Sequence, residues 1–363
     1  MPRSRDLGIV FGDAAPGELD AITDVAGVKV GSVTLIEGEA VRTGVTVIVP
    51  SEADVAVEQL FAGCHTLNGN GELTGLEWVR ESGRLATPIA LTNTHSVGVV
   101  RDALVAHSVR GRDDDDLSWA LPVVGETWDG LLNDINGFHV RPEHVEAALA
   151  KASGGPVEEG AVGSGTGMIC HGFKGGIGTA SRVTPEKHGG YTVGVLVQAN
   201  HGWRERLCVA GAPVGRTIGH DVVPDPYEEL PESAAGAGSI IVIVATDAPL
   251  LPHQCRRLAQ RASLGIARTG GAGEHSSGDI LLAFSTARQG LPPSEAFDVG
   301  EPVTVPITMF VDSHVAPLYH ATIEATEGAI VNALLAAETT TGRRGVTAYG
   351  LEPERLLEAM RQR

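Results

Sequence analysis

The sequence predicts a layered α/β fold, and three observations carry that expectation. Short apolar runs recur along the chain, several of them nearly continuous rather than alternating, as strands covered on both faces require. Helical spacings lie between those runs. Forty-seven glycines and only 4% aromatic residues in 363 describe many tight turns between small-residue strands. The alternation lacks the regular period of a doubly wound sheet, so two stacked sheets inside helical layers are one way to cover both faces. Length suggests two domains at about 150 residues each, or one large sandwich.

Taken in order, strands are predicted at residues 45–49, 88–91, 191–197, 239–245, 279–284 and 303–310. Helices are predicted at about 73–81, 99–109 and 142–152. A fourth, 252–268, sets Cys255, Leu258, Ala259 and Ala262 at helical spacing behind Pro252, a first-turn residue. A fifth, 323–338, carries Ile323, Ile330, Leu334 and Leu335 and ends near Gly342. The chain has no internal repeat. The strongest linker pattern is VVPDPYEELPESAAGAG, residues 222–238, which reads as exposed, mobile chain. The acidic run 113–116 reads as a solvated loop, and Gly163-Ser-Gly-Thr-Gly167 as a turn.

Composition excludes several function classes. At 42% hydrophobic and 20% charged, the chain is not a disordered protein. A net charge of −18 argues against binding nucleic acid, whose partners carry basic footprints. No apolar run is long enough to span a membrane, and MPRSRDLGIVFGDAAPG does not read as a secretory signal, so a cytoplasmic location is expected. Cys64, Cys170, Cys208 and Cys255 are far apart and read as isolated thiols. The thirteen histidines are scattered, with no pair at a spacing that suits one helical face, so no metal site is expected.

The junction at the end of the linker is unusual. Gly236-Ala-Gly238 runs directly into Ser239-Ile-Ile-Val-Ile-Val-Ala245, the most strand-like segment of the chain. Ser239 therefore opens a buried central strand. One reading is a polar residue at a strand start. The other is a self-processing nucleophile, whose hydroxyl attacks the Gly238 carbonyl, with glycine tolerating an unusual backbone geometry and leaving that carbonyl open. Hydrolysis of the resulting ester frees the Ser239 amine, whose reference pKa of about 7.7–8.0 suits a base near neutrality. The other acyl-transfer designs are missing: no G-x-S-x-G elbow, no C-G-x-C-W, no S-x-x-K and no phosphate loop.

With these residues in place, the chain resembles the DmpA-type L-aminopeptidase/D-esterases and β-peptidyl aminopeptidases, which are self-cleaving serine hydrolases. The likeness runs from Arg5-Asp-Leu-Gly8 to about Leu356, through Ala21-Ile-Thr-Asp-Val-Ala-Gly-Val28, Gly71-Glu-Leu-Thr-Gly75 and Leu91-Thr-Asn-Thr-His-Ser-Val-Gly98. It continues through Leu132-Asn-Asp-Ile-Asn-Gly137, Lys174-Gly-Gly-Ile-Gly-Thr-Ala-Ser-Arg182, Gly238-Ser-Ile-Ile-Val242, Asp247-Ala-Pro-Leu-Leu251 and Ser277-Gly-Asp-Ile-Leu281. The resemblance implies a four-layer αββα sandwich like that of N-terminal-nucleophile hydrolases, with other strand connections. It implies one hydrolase domain over residues 1–363, cut into 1–238 and 239–363, assembling as a homotetramer of processed pairs and using no cofactor.

The resemblance also implies roles. Ser239 matches the nucleophile and Ser277 a second serine that hydrogen-bonds near it. Asp279 stands where some members have glutamate, one methylene longer, completing a serine–serine–carboxylate relay. Asn200 matches an oxyanion-hole asparagine, and Glu126 a carboxylate that faces the substrate's amino group. Trp128 departs from a tyrosine found in some members. Its single indole N–H is no comparable proton donor, so it is assigned to the pocket wall. The implied substrate is a short peptide, amino-acid amide or ester. The alternatives are an amine acyltransferase of the ornithine acetyltransferase type, or a non-catalytic oligomeric binding protein.

Overall fold

The computed structural model describes residues 2–110, 119–228, 238–291 and 303–362. The acidic run 113–116 and residues 229–237 of the predicted linker lie outside the described residues. The strands begin with β1 (Lys29–Glu37), β2 (Val41–Val49), β3 (Leu60–Gly69), β4 (Arg84–Leu85), β5 (Ile89–Asn93) and β6 (Val123–Thr127). They continue with β7 (Ile169–Cys170), β8 (Phe173–Lys174), β9 (Gly176–Val183), β10 (Thr192–Asn200), β11 (Ser239–Thr246), β12 (Gly278–Ser285), β13 (Thr340–Thr341) and β14 (Thr347–Ala348). The α-helices are α1 (Leu76–Ser82), α2 (Val97–Val109), α3 (Pro142–Lys151), α4 (Val214–Thr217), α5 (Pro252–Arg268), α6 (Ala316–Ala336) and α7 (Pro353–Arg361).

Two sheets stack between helical layers, as expected. One has the order β4-β3-β12-β11-β10-β9 and the other β1-β2-β5-β6. The period of two along each strand splits its apolar residues between two cores. On the six-stranded sheet, Val195, Val197, Val242, Val244, Leu281 and Ala283 pack toward α5 and α6. Their alternates Leu196, Ile241, Ile243, Leu282 and Phe284 pack between the sheets against Ile48, Ile89, Leu91 and Val123. The four-stranded sheet turns Val45, Val47, Ala90 and Val124 toward α2 and α3. Gln198 crosses the inter-sheet space, its Nε2 donating to Thr92 O at 2.9 Å and Thr127 Oγ1 at 2.8 Å.

Three expectations need correction. Residues 303–310 form no strand. Pro306 interrupts the run and cannot donate to a ladder, Val303 is 92% exposed, and only Phe310 finds cover, in edge-to-face contact with Tyr191. The last large helix starts at Ala316 rather than near 323, with proline in its first turn. The described start of the linker is held rather than free: buried Arg204 donates to Val223 O at 3.1 Å and Ile218 O at 3.3 Å. Among the described residues no helix is long and apolar enough to cross a membrane.

Candidate active site

Strand pairing brings Asn200, Ser239 and Asp279 to one end of the six-stranded sheet. In the antiparallel β10–β11 pair, Asn200 is registered opposite Ser239. Residues so paired project from the same face with Cβ atoms about 4.5–5.5 Å apart. By strand alternation that face is the inter-sheet one, shared with Gln198 and Ile241. The carboxamide of Asn200 is held at both ends: Oδ1 accepts from Ile169 N at 2.7 Å and Nδ2 donates to Trp128 O at 3.0 Å. An amide nitrogen has two hydrogens, so the bond to Trp128 leaves one of them available.

Ser239 is buried, and its Oγ accepts the backbone N–H of Gly278 at 2.9 Å. Strands β11 and β12 run parallel from this point, with Ile240 registered to Asp279, and a β-bulge interrupts the β12–β3 pairing between Asp279 and Ile280. Bulges re-aim side chains beside sites. Ser277 Oγ lies 2.7 Å from Asp279 Oδ2 and 2.8 Å from Glu274 O, two acceptors for one proton. Asn68 Nδ2 donates to the Ser277 carbonyl and, at 3.2 Å, to its hydroxyl. The hydrogen bond made to Ser239 Oγ thus comes from the Gly278 amide, next to Ser277, which the resemblance places near the nucleophile. Asp279 sits with Ile240 on the helix-facing side, away from the Ser239 hydroxyl. Burial raises its carboxyl to about 6, although the Ser277 hydroxyl and the Ile240 amide pull it back.

Ser239 opens into a cleft of about 500 Å³ that also reaches Glu72, Thr94, Glu126 and Trp128. Glu126, in β6, accepts Glu72 N at 2.8 Å through Oε1 and the Thr94 hydroxyl through Oε2. Burial pushes its carboxyl above the ordinary range, against the opposing pull of those two donors. The Trp128 ring turns over Gly130, where any Cβ would meet the indole at 2.6 Å. Gly238 is needed for space rather than for a left-handed backbone: its Cβ would lie 2.5 Å from Asn200 O.

In the site and in the core around it are residues that the sequence does not single out. Thr94 and Asn68 reach the site from a turn and a strand end with no local signal of their own. Lys174 is fully buried, donating to Gly165 O, Met168 O and Gly175 O at 2.7–3.1 Å, and burial lowers its ammonium to about 7. Cys170 and its neighbour His171 meet His201, thirty residues further on, where β10 ends against β7. Burial raises the Cys170 thiol to about 12 and holds the His171 ring down to about 4.

Comparison with known proteins gives the class. The family model described as "Peptidase family S58" matches residues 20–348. A β-peptidyl aminopeptidase BapA from Sphingosinicella microcystinivorans is 49% identical, over 96% of this chain and 89% of that protein. A β-aminopeptidase structure from Burkholderia sp. superposes with a TM-score of 0.93 at 55% identity, covering 99% of each chain. The Ochrobactrum anthropi L-aminopeptidase D-Ala-esterase/amidase, described as a prototype for the serine aminopeptidases with a new variant of the Ntn hydrolase fold, does so at 0.89 and 43% identity. It covers 100% of this chain, which covers 99% of it. Fold and likeness together define a serine aminopeptidase. The chain belongs to peptidase family S58.

Proposed function

We propose that this aminopeptidase matures by cutting its own chain between Gly238 and Ser239 and then works through Ser239. The observation that carries the reading is the registration of Asn200 opposite Ser239, whose own cleft is also lined by a buried carboxylate, Glu126. In maturation the Ser239 hydroxyl attacks the Gly238 carbonyl, the Gly238–Ser239 amide becomes an ester, and water releases residues 1–238 with a free Ser239 amine. One hydrolase domain is thereby retained as two associated chains.

In turnover that amine accepts the Ser239 hydroxyl proton as Oγ attacks the substrate carbonyl. The free Nδ2 hydrogen of Asn200 faces the resulting oxyanion. The proton passes to the leaving amine, and water hydrolyses the acyl ester. A donor in this position is worth roughly 2.7–4 kcal/mol in comparable sites. Glu126 receives the substrate's ammonium, and Trp128 walls the pocket. Ser277 and Asp279 set the ground around the new amine, with the Gly278 amide holding Oγ. This chemistry requires no cofactor.

The substrates are N-terminal β-amino-acid residues of short peptides, amides or esters. The names of the Sphingosinicella and Burkholderia proteins support that choice over an α-amino acid preference. Assembly as a homotetramer of processed pairs and a cytoplasmic setting belong to the same proposal, and the four free cysteines agree with a reducing compartment. Intact-mass analysis of fresh protein, with turnover of a β-alanyl p-nitroanilide, tests the reading. Two chains with serine leading the second are expected, and Ser239→Ala is expected to stay whole and inactive. Cleavage in that variant, or activity from a wholly uncut preparation, would overturn it.

A further inference from the structure

We propose that Cys170, His171 and His201 form a site for one transition-metal ion of the zinc class, seated directly behind Asn200. The three are brought together by backbone structure. Cys170 closes β7, His171 follows in a left-handed conformation (φ 50°), and His201 follows the last residue of β10. The His171 amide donates to the His201 carbonyl at 2.7 Å, which fixes the two residues to each other. The Arg204 guanidinium, itself buried, holds the His171 carbonyl at 2.9 Å.

The ligand atoms are already gathered. One from each side chain, all buried, lies within 4.8 Å of the others. Cys170 Sγ is 3.8 Å from His201 Nδ1. A tetrahedral zinc with sulfur at about 2.3 Å and nitrogen at about 2.0–2.1 Å keeps those two atoms about 3.6 Å apart. Small rotations of the two imidazoles close the remainder. His171 Nδ1 lies 3.0 Å from Trp203 O, where its N–H donates and leaves Nε2 with a free lone pair. That outer carbonyl is the kind of partner that orients metal-binding histidines. His171 Nε2 is buried with no hydrogen-bond partner among the described residues.

One thiolate with two imidazoles selects zinc or its neighbours over magnesium or calcium. Beside the group, a cavity of about 30 Å³ is lined by His201, Gly172 and Asn200. That is room for one water, which needs at least about 10–15 Å³. The placement has a consequence for Asn200. The ligands immediately follow Ile169, whose amide holds Asn200 Oδ1, and Asn200 itself. A bound ion therefore ties together the two segments that aim the carboxamide.

The test dialyses the full-length protein and its Cys170→Ser, His201→Asn and Cys208→Ser variants against Zn²⁺ and then metal-free buffer. Retained zinc is counted, and Co²⁺-loaded samples are examined by absorption. About one zinc per chain is expected in the parent and Cys208→Ser. Retention is expected to fall at least tenfold in Cys170→Ser and in His201→Asn, on the scale of lost metal-site support. A thiolate-to-cobalt charge-transfer band is expected in the parent only where Cys170 is present, with unchanged far-ultraviolet circular dichroism. No retained zinc and no such band in the parent would overturn the proposal. So would a band that persists in a folded Cys170→Ser protein.

Discussion

At the scale of single residues, the Asp279 carboxyl offers a direct measurement. Burial raises it to about 6 in the folded protein, against an ordinary value near 3.8. The folded state thus favours the protonated form, and the stability this group contributes is complete below about pH 4. It is lost as pH rises to about 6 and stays lost above. The gap of about two pH units corresponds to something on the order of 3 kcal/mol. Asp279→Asn, which can still accept from Ser277, removes that loss. In a Ser239→Ala background, where no new ammonium forms at the junction, the substitution is expected to stabilise the protein by about that amount at pH 8. No difference is expected at about pH 3 or below. Urea midpoints across that range check it, and a pH-independent difference would contradict the assignment.

Residues differ in how far the sequence reveals them. Ser239 stood out because a flexible glycine stretch met an unbroken apolar run. Asn200 was visible as a strand-ending amide, yet its opposition to Ser239 depends on register, which no local pattern states. The role of Gly278 was hidden, since its contribution is a backbone N–H that any residue carries. The Cys170–His171–His201 grouping is hidden for another reason: its meeting point lies between a strand end and a turn, where no helical spacing signals it.

At the scale of elements, strand termini set the site. Helix α5 matches the predicted 252–268 because proline opens it and apolar spacing runs to its end. Strand β9, Gly-Ile-Gly-Thr-Ala-Ser-Arg-Val, was missed because it lacks a strong apolar run. Its small residues allow α6 to lie close: a Cβ on Gly178 would be 2.0 Å from Ala329 O. Gly278 plays a similar part at the head of β12, where a Cβ would meet Asn70 O and Gly71 Cα at 2.6 Å. Gly278→Ala is therefore expected to destabilise by about 1–3 kcal/mol through forced backbone shifts. Because the same residue holds the Ser239 hydroxyl, turnover is expected to fall at least about tenfold, or about 1.4 kcal/mol of barrier. Thermal midpoint and kcat are the readouts, and unchanged kcat would remove Gly278 from the site.

At the scale of the whole molecule, three apolar layers hold the sandwich together, and the inter-sheet one joins its halves. Leu282 lies fully buried there. Leu282→Ala is expected to lower unfolding free energy by about 2–5 kcal/mol through lost burial and a residual cavity. The denaturant midpoint should shift while the slope stays constant, since the surface exposed on unfolding barely changes. A shift below about 1 kcal/mol would mean that the layer collapses around the gap. The layered class was legible from continuous apolar runs. The division of those runs between two sheets was not, because either sheet satisfies the same pattern.

In the six-stranded sheet, β11 and β12 stand side by side between β10 and β3. If the backbone opens at residue 238, both inner strands belong to the later piece and both neighbours to the earlier one. The halves would then be interleaved like fingers of clasped hands, and parting them would mean unzipping two ladders at once. Dissociation and denaturation would be one event, so separated pieces would have to refold together to regain a sheet.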